Sequence, residues 1–266
     1  MKITIVGCGN MGLIYARAFL KYEIVNRTNL LLVEKDENRK IELNKLNIGE
    51  VVVVNDPKIG DSDLIILAVK PQDFYSLSKE LKNVLKPECI LLSIMAGMKI
   101  EKIADALNHK RIIRAMPNSP AELGMGMTAF TSGSNLSMEQ VRKAENLLAT
   151  TGRTVFFENE DLLDAVTALS GSGPAYFFYF VKNMIEAGKS MGFEESVATM
   201  LVKQTMLGSF HLINNANKSL DELIKAVASK GGTTEAAFSV FNNEKVGEGI
   251  QNGIVRARDR AAELSK

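Results

Sequence analysis

The stretch Ile3-Thr4-Ile5-Val6-Gly7-Cys8-Gly9-Asn10-Met11-Gly12 decides the fold: an apolar strand runs into a glycine-spaced loop, and a helical pattern (Leu13, Ile14, Ala16, Ala18, Phe19) starts at once. In such a loop the first glycine allows the tight turn, the second lets backbone approach a pyrophosphate, and the third lets helix pack closely on strand. The phosphates would sit at the positive helix start, where unpaired N–H groups point outward. A second apolar strand, Leu30-Leu31-Leu32-Val33, ends in Glu34, about 20 residues on, where an acid can meet a ribose hydroxyl. Gly7, Gly9, Gly12 and Glu34 are therefore expected to hold a dinucleotide.

Short apolar runs suited to buried parallel strands recur at 51–54, 64–69, 90–94 and 112–115, several of them separated by helical or turn segments. Each is followed by loop chemistry: Asn55 after the third run, Ala68-Val69-Lys70-Pro71 at the end of the fourth, Met95-Ala96-Gly97 after the fifth, Pro117 and Asn118 after the sixth. In an open doubly wound sheet, ligands bind outside the carboxyl ends of the strands, so these loops should converge on one cofactor. The expected class is α/β, with a Rossmann-type doubly wound sheet over residues 1–158 that closes on a last edge strand at 154–157. From about Glu160 the texture turns helical, with helices expected at 174–190, 194–214, 220–227, 234–241 and 245–264, so residues 159–266 are read as a second, all-α domain. In the first of these helices Tyr176, Phe177, Phe180, Val181, Met184 and Ile185 form a broad stripe, and Phe178 and Tyr179 lie outside it. That is more apolar surface than a small helical domain hides alone, and a homo-oligomer built through this domain is expected.

Composition narrows the partners. A net charge of +1, from 32 Lys and Arg against 31 Asp and Glu, gives no reason to expect nucleic acid or an anionic membrane. A small molecule is the expected ligand. Cys8 and Cys89 read as small apolar fillers. His109 and His211 are far apart and lack ligand-type neighbours, so no metal site is expected. The opening strand lacks the charged and apolar regions of a signal peptide, and no apolar stretch approaches about 18 residues, which makes a cytoplasmic location the expectation.

Two segments in the helical half carry unusual chemistry: Ser170-Gly171-Ser172-Gly173-Pro174 and Ser229-Lys230-Gly231-Gly232-Thr233-Thr234. Both place N–H groups and hydroxyls at a helix start, where a substrate carboxylate could bind, although either alone reads first as a capped glycine linker. Together with 68–72, Ala96-Gly97, 114–120 and 124–129, they give the chain its resemblance to the pyrroline-5-carboxylate reductases. GSGPAY and the late GGTT are the specific parts, and the resemblance runs nearly end to end.

The resemblance implies reduction of 1-pyrroline-5-carboxylate to L-proline, a helical dimerisation domain, and a dimer that can assemble into a decamer. It implies NADPH as cofactor, with NADH tolerated. Carried over by position, Val6 to Met11, Glu34, Asp36, Asn55, Ala68 to Pro71 and Met95 to Gly97 would contact the cofactor, while Glu160, Thr233 and Thr234 would act on the substrate. Thr234 would hydrogen-bond the ring nitrogen, Gly231, Gly232 and Thr233 would take the carboxylate, and Ser172 and Gly173 would support the pocket. Such a site needs no metal or Ser-His pair, because positioning two reactants can contribute roughly 7–11 kcal/mol. The chain departs from the family at Lys230, where Pro is usual, at Ala226, often polar, and at Glu34, usually small and polar. Glu34 favours a free ribose 2'-hydroxyl, whereas Lys35 and Arg39 could attract a 2'-phosphate, so both dinucleotides are expected to serve. A reductase of another cyclic imine and a 3-hydroxyacid dehydrogenase are the alternatives. The latter would draw on Lys182 and Asn183, but these read as surface residues, with Lys182 facing Glu186 one turn on. A non-catalytic dinucleotide-binding protein is the third, disfavoured by the presence of both threonine hydroxyls.

Overall fold

The computed structural model describes residues 1–264. One eight-stranded sheet runs in the order β3-β2-β1-β4-β5-β6-β7-β8, from β1 (Ile3–Val6), β2 (Leu30–Val33), β3 (Glu50–Val52), β4 (Leu64–Leu67), β5 (Ile90–Ser93), β6 (Ile112–Met116), β7 (Gly126–Ser132) and β8 (Gly152–Phe156). Neighbours are parallel except β6 and β7, which pair antiparallel. The order reverses between β1 and β4, and that reversal opens a crevice above their carboxyl ends. Helices α1 (Asn10–Lys21), α2 (Glu37–Leu46), α3 (Pro71–Leu81), α4 (Ile100–Leu107) and α5 (Met138–Leu148) connect the strands.

Side chains alternate across the sheet, so one chain of strands fills two cores. Ile3, Ile5, Leu30, Leu32 and Ile66 pack with Leu13, Ala16 and Phe19 of α1 and with α5 on one face. Val6, Leu31, Val33, Ile65 and Leu67 pack with Phe74 and Leu81 of α3 and with Ile103 and Leu107 of α4 on the other. All four residues of β1, β2 and β4 are buried.

The expected doubly wound sheet is present, with three differences of detail. The third strand ends at Val52, and Val53 is 55% exposed, because the chain turns at 53–56 with an Asp56 N–H to Val53 carbonyl bond. The fourth ends at Leu67, where the backbone bends over Gly7. The strand β7 was not expected at all; Thr128 and Thr131 break its apolar pattern, yet both are buried. The last strand does lie at the sheet edge.

The chain separates into two compact units, residues 1–172 with 256 onward, and Gly173–Val255. Beyond the expected boundary at 158/159, α6 (Leu162–Val166) and a π-helical turn at Thr167–Gly171 cluster with the sheet by contact, α6 through an ion pair of Asp164 to Arg114 of β6. The second unit comprises α7 (Gly173–Ser190), α8 (Glu195–Asn215), α9 (Leu220–Val227), α10 (Thr233–Asn243) and the first part of α11 (Val246–Leu264). Helices α7 and α8 cross at Gly188 and Ala198, where a Cβ on the glycine would lie 2.9 Å from that of Ala198. Little else is buried in these helices: Phe177, Phe178 and Tyr179 are each about two-thirds exposed. The unit lacks a core large enough to hold its own apolar faces.

Candidate active site

The glycine loop is shaped by close approach. Gly7 has φ +95°, donates its N–H to the Val33 carbonyl, and leaves no room for a Cβ, which would stand 2.8 Å from Ala68 backbone atoms. A Cβ on Gly12 would overlap the Gly7 carbonyl oxygen. Above Gly9, by contrast, the space is open, and α1 begins there with no side-chain cap. The first N–H groups of α1 are thus left for an outside acceptor, the arrangement a pyrophosphate requires. This geometry fits a dinucleotide.

A cleft of ≈ 660 Å³ lies over the strand ends and gathers Gly7, Gly9, Glu34, Asn55, Ala68, Val69 and Lys70. Val6 contributes backbone only: it is fully buried, and its carbonyl accepts the Ala68 N–H at 2.8 Å. A second groove of ≈ 840 Å³ is lined by Asn10, Met11, Pro117, Asn118 and Gly171, among others. Asn118 is a brace here, accepting from Met127 N–H at 2.9 Å and donating to the Ser170 hydroxyl at 3.2 Å. At the end of β5, Met95 donates its N–H to the Ser93 hydroxyl, and Gly97 turns at φ +70° with its Cα facing Ala261 and Leu264 of α11.

Glu34 is fixed in place. Its carboxylate accepts from the N–H groups of Cys8 (3.1 Å), Lys35 (2.7 Å) and Asp36 (3.1 Å). Asp36, expected at the cofactor, spends its Oδ1 capping α2 through the Arg39 N–H at 2.8 Å. Beneath the loop, burial together with the Glu34 charge pushes the Cys8 thiol up to about 12. Cys8 is a filler and not a nucleophile.

Glu160, expected to act on the substrate, has one carboxylate oxygen committed within the fold. Its Oε1 accepts from the Ile100 N–H at the start of α4 (2.8 Å) and from Arg114 (3.1 Å), whose other nitrogen meets Asp164 at 2.7 Å. Arg114 is 2% exposed. Sequence reasoning passed over this triad, although a lone charge inside the buried strand Ile112-Ile113-Arg114-Ala115 was a usable signal. The triad joins β6, α4 and α6.

In the helical unit, Gly231 turns at φ +73° and Gly232 caps α10 without a side-chain bond. The Gly231 N–H is taken by the Glu235 carboxylate. The hydroxyls of Thr233 and Thr234 carry no hydrogen bond among the described residues. Ser172 closes the π-helical turn through its N–H to the Thr167 carbonyl at 2.8 Å, and Gly173 starts α7. On α7, Glu186 pairs with Lys189 and not with Lys182 as expected, and Asn183 donates to the Tyr179 carbonyl. Both Lys182 and Asn183 are exposed. Among the described residues there is no group of His, Cys, Asp or Glu suited to a metal ion, and no helix long and apolar enough to cross a membrane.

Comparison with known proteins adds the following. Residues 160–264 match the family model for pyrroline-5-carboxylate reductase dimerisation, and residues 3–138 match that for ketopantoate reductase PanE/ApbA. The chain is 34% identical to a pyrroline-5-carboxylate reductase of Aquifex aeolicus over 99% of its own length and 97% of the relative's. It is 31% identical to one of Pseudomonas aeruginosa over 100% and 97%. Among solved structures, the Streptococcus pyogenes 1-pyrroline-5-carboxylate reductase superposes with a TM-score of 0.89 at 27% identity, covering 99% of this chain and 98% of the other. The Plasmodium falciparum pyrroline carboxylate reductase with NADP bound shares the fold at a TM-score of 0.89 and 24% identity, covering 100% and 98%.

Proposed function

The chain belongs to the pyrroline-5-carboxylate reductase family, and from that premise we propose that it reduces 1-pyrroline-5-carboxylate to L-proline, the last step of proline biosynthesis, at the expense of NAD(P)H. The observation that carries this reading is the pairing, in one chain, of a glycine cradle open above Gly9 with a helical half that matches the family's dimerisation model.

When bound, the cofactor would supply a hydride to the imine carbon of the substrate protonated on nitrogen from solvent. This chain's own residues have to bind, orient and exclude water. Gly7, Gly9, Asn10 and Met11 offer backbone N–H groups and close approach for the phosphates, Glu34 meets the adenosine ribose, and Ala68, Val69 and Lys70 line the far side of the cleft; Pro71 and Met95 to Gly97 keep the cofactor role that the family resemblance implies. For the substrate, the turn at 231–234 offers two uncommitted hydroxyls at a helix start. Thr234 orients the ring nitrogen, and Thr233 with the turn's N–H groups receives the carboxylate. Glu235 already holds the Gly231 N–H, so the carboxylate is left the groups beyond it. With Oε1 bound by Arg114 and Ile100, Glu160 serves as a positioning residue for α6 and the adjoining turn.

The molecule is a homo-oligomer formed through its helical half. Its finer reading is a cytoplasmic dimer, capable of assembling into a decamer, measurable by native mass spectrometry. The function is tested by following reduced-nicotinamide absorbance with the cyclic imine and, separately, with a 3-oxoacid semialdehyde. Oxidation with the imine alone, yielding L-proline, is expected; oxidation with the semialdehyde alone would overturn the reading.

A further inference from the structure

We infer that this chain selects NADH over NADPH, with Glu34 as the specificity-determining residue and the neighbouring cations withheld from a 2'-phosphate. The inference rests on the reading that the cleft over β1 and β4 holds a nicotinamide dinucleotide.

Three observations converge at the end of β2. First, the Glu34 carboxylate is held by three backbone N–H groups, two on Oε1 and one on Oε2. A carboxylate has about four acceptor positions, so one on Oε2 remains to receive a hydroxyl. A 2'-hydroxyl can donate to it; a 2'-phosphate brings only acceptors and negative charge to the same place.

Second, each cation that could compensate is already engaged. Lys35 Nζ lies 2.6 Å from Asp73. Arg39 donates through Nε to the Cys8 carbonyl at 3.2 Å and pairs with Glu42 through Nη1. Lys40 pairs with Glu37 at 2.7 Å. A 2'-phosphate would have to share one of these cations with its present carboxylate partner, beside a Glu34 carboxylate fixed by three N–H groups. Lys70 has no side-chain partner among the described residues, but it stands at the end of β4, separated from β2 by β1.

Third, the cleft offers a further anion no net attraction: its lining sets Glu34, Asp73 and Glu80 against Lys35, Lys40 and Lys70. The pairs are partly exposed, so each contributes modestly, and the effect is read at fixed ionic strength.

The test is direct binding of NADH and NADPH, followed by nicotinamide fluorescence, alongside imine reduction with each. The wild-type protein should bind NADH at least about tenfold more tightly. Glu34→Ser should close that gap by about tenfold, and Asp73→Asn, which frees Lys35 and leaves Glu34 alone, should tighten NADPH several-fold more than NADH. Any smaller wild-type preference, or a preference for NADPH, overturns the inference, as does a preference that neither substitution moves. If Glu34→Ser fails to fold, the wild-type ratio and Asp73→Asn still decide. A preserved NADH preference without imine reduction would sink the catalytic reading alone, and binding of neither dinucleotide would sink both.

Discussion

Replacing Arg114 by Leu should destabilise the protein severely, and the structure gives the size. The guanidinium is 2% exposed and faces two carboxylates, Asp164 at 8% and Glu160 at 25%. Removing the cation leaves Asp164 as an uncompensated charge in a site water hardly reaches, and breaking a buried pair in this way costs about 3–5 kcal/mol. Glu160 can turn partly to solvent, which places the loss near the lower end, about 3 kcal/mol. For a chain of this size each kcal/mol moves the midpoint by about 2–4 °C, so the transition should fall by about 6–12 °C. Protein concentration must be held constant, because an oligomer's midpoint depends on it. Two controls separate charge from shape. Arg114→Lys keeps the charge but reaches one carboxylate, losing about 1.5 kcal/mol. The double variant Arg114→Leu with Asp164→Leu removes the stranded charge and should recover much of the loss. Thermal unfolding within about 1 kcal/mol of wild type for Arg114→Leu, or a lysine variant as damaged as the leucine one, would refute this account of the triad.

Other consequences follow from single residues. Gly12→Ala puts a methyl group into the Gly7 carbonyl, so dinucleotide affinity should fall at least about tenfold, with a stability loss of about 1–3 kcal/mol; isothermal titration and thermal unfolding report both. Thr234→Ala should lower turnover about a hundredfold with dinucleotide affinity unchanged, and unaltered turnover would remove the residue from the reaction. Burial holds the His109 imidazole below its ordinary value of 6.5, with Nε2 2.8 Å from the Cys89 carbonyl. Below that ordinary value the unfolded chain binds a proton that the folded one resists, so the contribution is present above it and fades as pH falls. Urea unfolding at pH values on either side should therefore show a wild-type advantage over His109→Gln that shrinks on acidification; a constant difference would contradict this.

What the sequence made legible was whatever is decided locally. β1, β2 and β4 are buried on both faces, and buried parallel strands read as unbroken apolar runs. The glycines at 7 and 12 serve packing distances within a few residues of themselves or at the adjoining strand, and their spacing announces it. Contacts over long separations left weaker marks. Arg114 meets partners 46 and 50 residues away, and only its charge inside an apolar strand hinted at them. β7 was masked because Thr128 and Thr131 look like loop residues until the sheet buries them. Val53 and Val54 carry strand-forming side chains, yet the turn at Asp56 ends the ladder before them. At the site itself, residue types were readable and their commitments were not. Asp36 caps a helix, one oxygen of Glu160 is taken, and Lys35 is paired.

The central claim is that a nicotinamide dinucleotide, held by its pyrophosphate at Gly7 to Gly12, would deliver hydride to the imine carbon of pyrroline-5-carboxylate. Incubating the purified protein with the cyclic imine and a dinucleotide carrying deuterium at both positions of the reactive carbon, then examining the product by mass spectrometry and NMR, tests it most directly. L-proline bearing a single deuterium at carbon 5 is the predicted product. Unlabelled proline, or cofactor oxidation without proline, would contradict it.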